Sequence, residues 1–76
     1  MKTLFLAHDK NETSVLGWSF ESEEDAYDCA ESNGYTANSI SEIECVDSLT
    51  ESDFDSCAYL SEYECVAENA LEESED

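Results

Sequence analysis

The sequence predicts a small α+β domain with the element order ββαβα. Apolar residues alternate near its start, as they do in half-buried strands, and two later segments carry the spacing of amphipathic helices. Of its 76 residues, 41% are hydrophobic and none is Pro, so the chain can build a core despite its charge. We expect a three-stranded antiparallel sheet with helices on one face. Residues 1–71 would form a single acidic domain, and residues 72–76 a disordered acidic tail.

A β-hairpin is expected over residues 3–20. Its first arm, residues 3–7, is β-prone and mostly apolar. In the second arm, alternation places Leu16, Trp18 and Phe20 on one face. The polar residues between the two arms are turn-prone, which fits a hairpin connection.

The first helix is expected over residues 23–32. Ser22 can act as its N-cap, with Asp25 three residues later as the partner in a shortened capping box. Asn33 and Gly34 would end the helix, because glycine readily adopts the left-handed conformation that follows many helix C-termini.

A third strand and a last helix complete the predicted fold. Alternation over residues 41–47 indicates the strand. The helix is expected from about residue 51 to residue 71, with Thr50 or Ser52 as its N-cap. Its apolar positions spread widely around the axis, which is compatible with a break near Ser61.

The charge of the chain excludes two classes of ligand. Acidic residues outnumber basic ones 21 to 2, and the formal net charge is −19. Direct binding to nucleic acid and docking on anionic lipid both require Lys and Arg, so neither is expected. No apolar run is long enough to span a membrane, and the first residues do not resemble a secretory signal. The expected location is the cytoplasm.

The four cysteines stand at positions 29, 45, 57 and 65, with no CxxC pair, and the one histidine, His8, is distant in sequence. In a reducing cytoplasm we favour buried free thiols, with two disulfides or a metal site as the alternatives. We expect no cofactor, no metal and no catalytic residue. With 21 acids, close carboxylate pairs arise by chance and do not indicate acid–base catalysis.

The distribution of the acids is the most informative feature. Residues 11–76 contain 20 of the 21 acids and no basic residue. Two sets have helical spacing and would form rows with neighbouring Cβ atoms about 5–6 Å apart, which is close to the spacing of phosphates along a nucleic-acid strand. These rows are Glu24, Asp28 and Glu31 on the first helix, and Glu51, Asp55 and Glu62 on the last. Two such rows could imitate the two edges of a DNA groove.

The residues predicted to bind a partner are the acids of both rows, three further acids, and two tyrosines expected to be exposed. They are Glu23, Glu24, Asp28, Glu31, Glu42, Glu44, Glu51, Asp55, Glu62, Tyr35 and Tyr59. Exposed tyrosines within an acidic face are suited to anchoring an interface.

In size, charge and acid spacing over residues 21–76, the chain resembles the DNA-mimic inhibitors encoded by bacteriophages and other mobile elements. That class includes anti-restriction proteins, anti-CRISPR proteins and inhibitors of uracil-DNA glycosylase. The resemblance implies a non-enzymatic protein that blocks the DNA site of a basic DNA-binding protein or nucleoprotein complex. Two alternatives stay open: an acidic interaction module that chaperones a basic protein, and a halophile domain whose acids maintain solubility.

Overall fold

The computed structural model describes residues 1–73, which form three strands, two α-helices and one short 3₁₀ helix. In chain order they are β1 (Lys2–His8), β2 (Val15–Ser19), α1 (Glu23–Ser32), β3 (Ser39–Cys45), the 3₁₀ helix (Glu51–Phe54) and α2 (Leu60–Glu73). The strands form one sheet in the order β2-β1-β3, and both pairings are antiparallel. The predicted ββαβα order and antiparallel sheet are confirmed.

The two α-helices cover opposite faces of the sheet, so the prediction that both lie on one face is wrong. On one face, Leu4 and Leu6 of β1 pack with Tyr63 and Ala67 of α2. On the other face, Ala7 packs with Ala26 and Ala30 of α1. The physical reason lies in β1, which is the central strand and carries apolar side chains on both faces. Each face therefore needs its own cover.

A bulge in the hairpin explains a second difference from the prediction. Ala7 pairs with Gly17, but the next residue, His8, pairs with Val15, and Leu16 is left as the extra residue of β2. Leu16 therefore joins the core beneath α1, whereas Trp18 packs on the opposite face of the sheet. Simple alternation, which placed Leu16 and Trp18 together, does not hold across a bulge.

Helix α1 has the bounds and caps that its sequence predicts. The Ser22 hydroxyl oxygen accepts a hydrogen bond from the Asp25 N–H at 3.1 Å. At the other end, Gly34 has a φ of 84°. The N–H groups of Gly34 and Tyr35 donate to the carbonyls of Glu31 and Ala30, at 3.0 Å each, which is the Schellman arrangement.

The predicted last helix is two helices, and the break covers residues 55–59 rather than Ser61. Thr50, one of the two predicted N-caps, caps the 3₁₀ helix, and its N–H donates to the Asp53 carboxylate at 2.8 Å. Helix α2 starts anew because Glu62 caps it: one carboxylate oxygen accepts from the N–H groups of Ala58 and Tyr59, both at 3.0 Å.

The remaining boundaries shift by a few residues. Strand β3 begins and ends two residues before the predicted 41–47. Glu72 and Glu73, predicted to belong to the acidic tail, are the last residues of α2, and residues 74–76 lie outside the described residues. No helix within residues 1–73 has the length and apolarity needed to cross a bilayer.

All four cysteines are free thiols, but only one is fully buried. Cys45 lies in the core, Cys29 and Cys57 are half-buried, and Cys65 is exposed. The expectation of free thiols therefore holds, while the expectation that they are buried holds only for Cys45 and is furthest from the structure at Cys65. Cys65 lies on the side of α2 that faces away from the sheet, where it does not pack in the core.

Candidate acidic interaction surface

The acids lie on the surface and leave their charge facing solvent. Within residues 1–73, every Asp and Glu is exposed except Asp9, which is half-buried. The only ion pair among these residues joins the N-terminal ammonium to Asp47 at 3.6 Å. The negative charge of the described chain is therefore almost wholly uncompensated by its own cations.

The two lysines do not offset this charge. The Lys2 ammonium donates a hydrogen bond to the carbonyl oxygen of Leu49 and lies 4.3 Å from the centroid of the Phe20 ring. The Lys2 ammonium is thus directed toward these two groups and not toward an acidic row. Lys10 is exposed and forms no ion pair with any described residue. Neither lysine neutralises an acidic row.

The row on α1 forms as the sequence predicts. Glu24, Asp28 and Glu31 are all exposed, and they lie on the side of the helix away from the buried Ala26 and Ala30. No described residue donates a hydrogen bond to these three carboxylates. Successive members are held by a capped helix about 5–6 Å apart at Cβ, so the charge spacing is fixed by the backbone. Glu23 is exposed beside them in the first turn.

The second predicted row does not exist as a helical row. Glu51 begins the 3₁₀ helix, Asp55 is the residue at its C-terminus, and Glu62 belongs to α2. All three are exposed, but the break between the helices separates them. In addition, Glu62 caps α2 with its carboxylate, which reduces its capacity to accept bonds from a partner.

The two helices also cannot supply the two edges of one groove. The sheet lies between α1 and α2, so their outer faces point to opposite sides of the molecule. The prediction of two helical rows flanking a single groove is therefore wrong in its geometry.

A different pair of elements does form an acid-edged groove. A cavity of about 330 Å³ lies between the outer edge of β3 and α2, and we call it the acidic groove. It is lined by Glu42, Ile43 and Glu44 of β3 and by Glu64, Ala67, Glu68 and Leu71 of α2. The four glutamates lie on different sides of the sheet: Glu42 and Glu44 pair with Phe5 and Thr3 on the face that α1 covers, whereas Glu64 and Glu68 belong to α2 on the other face. Only the α2 pair and the partly apolar base face the same side.

The spacing within the acidic groove follows from the two elements. Glu42 and Glu44 are two positions apart on a strand, which places them about 6–7 Å apart along its axis. Glu64 and Glu68 are four apart on a helix, with their Cβ atoms about 5–6 Å apart. Carboxylates accept hydrogen bonds from ammonium and guanidinium groups, and apolar side chains accommodate the aliphatic stems of Lys and Arg. The arrangement is suited to basic side chains.

Sequence reasoning identified half of this groove. Glu42 and Glu44 were predicted as binding residues, whereas Glu64 and Glu68 were not. The four-residue spacing of Glu64 and Glu68 is the sequence signal for this pair. A single helix starting at residue 51 favours instead the row that begins at Glu51.

The two predicted tyrosine anchors are exposed, with 53% of Tyr35 and 51% of Tyr59 accessible. Tyr35 follows the C-terminus of α1, and Tyr59 directly precedes α2. Tyr59 also pairs with Ser14 in an isolated antiparallel bridge, which fixes its backbone. The exposure of both side chains is as predicted, and their role in binding stays a prediction.

The surroundings of His8 and of two thiols fit roles in the fold rather than in catalysis. The His8 ring is buried, with Nδ1 2.8 Å from the carbonyl oxygen of Asp9 and Nε2 2.9 Å from the Ser41 hydroxyl. Because a carbonyl only accepts, Nδ1 donates to Asp9, and Nε2 forms its hydrogen bond with the Ser41 hydroxyl. Burial raises the pKa of the Cys45 and Cys57 thiols, which makes them poor nucleophiles at neutral pH.

No three His, Cys, Asp or Glu side chains within residues 1–73 are grouped so as to hold a metal ion. Comparisons of the chain with protein-family models, with curated proteins and with solved structures found no match.

Proposed function

We propose that this chain is an acidic DNA mimic, which binds the positively charged surface of a DNA-binding protein or nucleoprotein complex and blocks that surface by occupying it. The observation that carries the proposal is the surface charge. Within residues 1–73 all acids but Asp9 are exposed and only Asp47 forms an ion pair, with the N-terminal ammonium, while Lys2 is directed inward. The resemblance in size and charge to phage-encoded inhibitors supports a counter-defence role against a restriction, CRISPR, nuclease or DNA-repair enzyme.

The energetic argument is that the exposed charges lower stability. Like charges repel within a Debye length of about 8 Å at physiological salt. A net charge of −19 on a chain of 76 residues therefore reduces its free energy of unfolding. A basic partner removes this repulsion on contact. The same charges accelerate encounter with the partner, and close charge pairs then stabilise the complex.

The geometry supports two contact regions. The α1 row presents three carboxylates at fixed spacing on an exposed helix. The acidic groove presents the carboxylates of Glu64 and Glu68 on α2, and Glu42 and Glu44 add charge at the adjoining edge of β3. Rigid charges of this kind lose little entropy when they meet a preorganised DNA site.

The acidic groove also supports a second candidate function. Its partly apolar base can accommodate the stems of Lys and Arg from a flexible basic segment. A chain that binds such segments would shield or chaperone a basic protein without competing for DNA. The two functions differ in one measurable property, which is competition with DNA.

The test has two stages. The immobilised chain is exposed to a bacterial lysate at about 0.15 M NaCl, and proteins released by added duplex DNA are identified by mass spectrometry. Each is then purified and titrated with labelled DNA in the presence of this chain. We expect stoichiometric loss of DNA binding. A captured protein that binds DNA and this chain at the same time would contradict the mimic and favour the chaperone.

Charge-matched variants separate geometry from bulk charge. The triple variant Glu24→Lys, Asp28→Lys, Glu31→Lys changes the net charge from −19 to −13. The control triple Glu12→Lys, Glu72→Lys, Glu73→Lys makes the same change at exposed positions outside the α1 row and the acidic groove. We expect the first to weaken partner binding at least ten-fold more, about 1.4 kcal/mol. Equal losses would leave only a diffuse polyanion.

A further inference from the structure

A second cavity lies at the edge of the sheet formed by β2, away from the acidic groove. Its volume is about 440 Å³, and we call it the aromatic cavity. It is lined by Trp18, Ser19, Phe20, Glu21, Cys29 and Glu51. Three elements thus contribute: the end of β2, α1 and the 3₁₀ helix. None of its aromatic residues was among those predicted to bind a partner.

The aromatic wall of this cavity is held in place by the core. The ring centroids of Trp18 and Phe20 are 5.6 Å apart, and the ring planes are nearly perpendicular at 81°. Behind them, Trp18 packs against Phe54 at 5.9 Å and Tyr63 at 6.4 Å. Both cavity rings are only half-buried, so part of each faces the cavity rather than the core.

Two carboxylates from different elements complete the lining. Glu21 follows β2, where its N–H donates to the Ser19 hydroxyl at 3.0 Å, and this bond fixes the turn after the strand. Glu51 is the first residue of the 3₁₀ helix. Both side chains are exposed, and neither forms an ion pair with any residue in 1–73. The cavity thus has aromatic rings and two uncompensated negative charges.

The structure already contains one cation on one of these rings. The Lys2 ammonium lies 4.3 Å from the Phe20 centroid, within the distance at which a cation is attracted to an aromatic face. Lys2 itself is not one of the residues that line the aromatic cavity. The rings at this edge of the sheet therefore tolerate positive charge in contact with them.

We infer that the aromatic cavity binds the guanidinium group of an arginine side chain, supplied by the basic partner on which the proposed function rests. A guanidinium is planar, stacks on aromatic rings and is more weakly hydrated than an ammonium. Its fork of N–H donors bonds to carboxylate oxygens, which Glu21 and Glu51 supply at the cavity lining. A lysine ammonium gains less because it is a compact, strongly hydrated charge that cannot stack. The cavity selects arginine over lysine.

The test measures the fluorescence of Trp18, which lines the aromatic cavity. Trp18 is the only tryptophan of the chain, so its fluorescence reports on this cavity. The chain is titrated with N-acetyl-arginine methylamide, and in parallel with the lysine analogue at the same ionic strength. We expect a saturable change that arginine produces at a roughly three- to ten-fold lower concentration. A response that does not saturate, or equal responses to both probes, would overturn the inference.

Matched variants test the two carboxylates. Glu21→Gln with Glu51→Gln removes two charges at the aromatic cavity, whereas Glu64→Gln with Glu68→Gln removes two at the acidic groove. Both pairs leave the same net charge, and all four side chains are exposed, so the fold is retained. We expect the first pair to weaken arginine binding about ten-fold and the second less than two-fold. Equal weakening would show that the probe responds only to overall charge.

The two proposals fail separately. The arginine probe needs no partner, so its binding tests the aromatic cavity alone. If the probe binds but no captured protein loses its DNA, the DNA-mimic proposal is wrong and the inference about the aromatic cavity is supported. If a captured protein loses its DNA while the probe does not bind, the inference about the cavity is wrong and the DNA-mimic proposal is supported.

Discussion

Gly17 of β2 lies directly against the backbone of Ala30 in α1. A Cβ atom at Gly17 would come within 2.8 Å of the Ala30 Cα, and at the same distance from the Ala26 carbonyl oxygen. This contact is closer than real Cβ atoms tolerate, and both neighbours are backbone atoms that cannot rotate away. The absence of a side chain at Gly17 is thus what lets α1 approach the sheet.

The first prediction concerns this contact. Gly17→Ala should lower the free energy of unfolding by about 2 kcal/mol or more, because α1 must move away from β2. Gly34→Ala is the control: its φ is positive, but a Cβ there meets open space, so only backbone strain of about 1 kcal/mol is expected. Urea unfolding measures both. A smaller effect at Gly17 than at Gly34 would contradict the close packing.

The second prediction concerns the start of α2. Glu62→Ala removes the carboxylate that accepts from the N–H groups of Ala58 and Tyr59, and should cost about 1 kcal/mol. Glu68→Ala removes the same charge from the same helix without breaking a cap. Because it relieves repulsion, it should be neutral or slightly stabilising. Thermal unfolding of the two variants at one salt concentration compares them, and equal values would argue against the cap.

The third prediction concerns alkaline pH. Burial raises the pKa of Tyr63 to about 12, while an unfolded chain loses this proton near pH 10. Between these values the folded state holds a proton that the unfolded state has lost. The stability contributed by this proton is therefore complete below pH 10 and is lost as the pH rises toward 12.

The variant Tyr63→Phe checks this assignment. It lacks the phenolic proton, so its urea midpoint should fall less steeply between about pH 10 and pH 12 than that of the parent chain. The variant also loses the bond from the Tyr63 hydroxyl to the Cys57 carbonyl, so it should be somewhat less stable at neutral pH. Parallel pH profiles would show that Tyr63 is not the group responsible.

The fourth prediction concerns salt. Raising NaCl from 0.1 M to about 0.5 M should increase the melting temperature, because the Debye length falls below the spacing of neighbouring exposed acids. The variant Glu24→Gln, Asp28→Asn, Glu31→Gln should show a smaller increase. A melting temperature that is flat or falls with salt would mean that the acids are already compensated. A chain that folds only in molar salt would favour the halophile alternative.

Features encoded by neighbouring residues were predictable from sequence. Helix α1 was placed to the residue because Ser22 and Gly34 mark its ends within the chain itself. The break before α2 was displaced because Glu62 caps the helix through its side chain, and Glu three residues inside a helix is common without this role. The start of α2 is also tied to the hairpin, since the Leu60 N–H donates to the Thr13 carbonyl at 2.8 Å, which no local pattern reveals.

In the candidate site too, features that depend on long-range contacts could not be predicted from the sequence. Exposure of the acids followed from composition, and the α1 row followed from its spacing. The acidic groove did not, because the packing of α2 against one face of β3 is a long-range contact that no local pattern reveals. The aromatic cavity is not predictable for a related reason: alternation places Trp18 and Phe20 on one face, but their half-exposure depends on where α1 and the 3₁₀ helix lie.

The placement of the helices on opposite faces of the sheet has a consequence for diffusion. Acids are exposed on α1, on β3 and on α2, so negative charge faces solvent on both sides of the sheet. A molecule charged on one side must rotate into alignment before attraction assists its capture. This one is attracted in almost any orientation, which enlarges the fraction of collisions that lead to an encounter complex. Orientation is then selected after first contact, by short-range fit rather than by the long-range field.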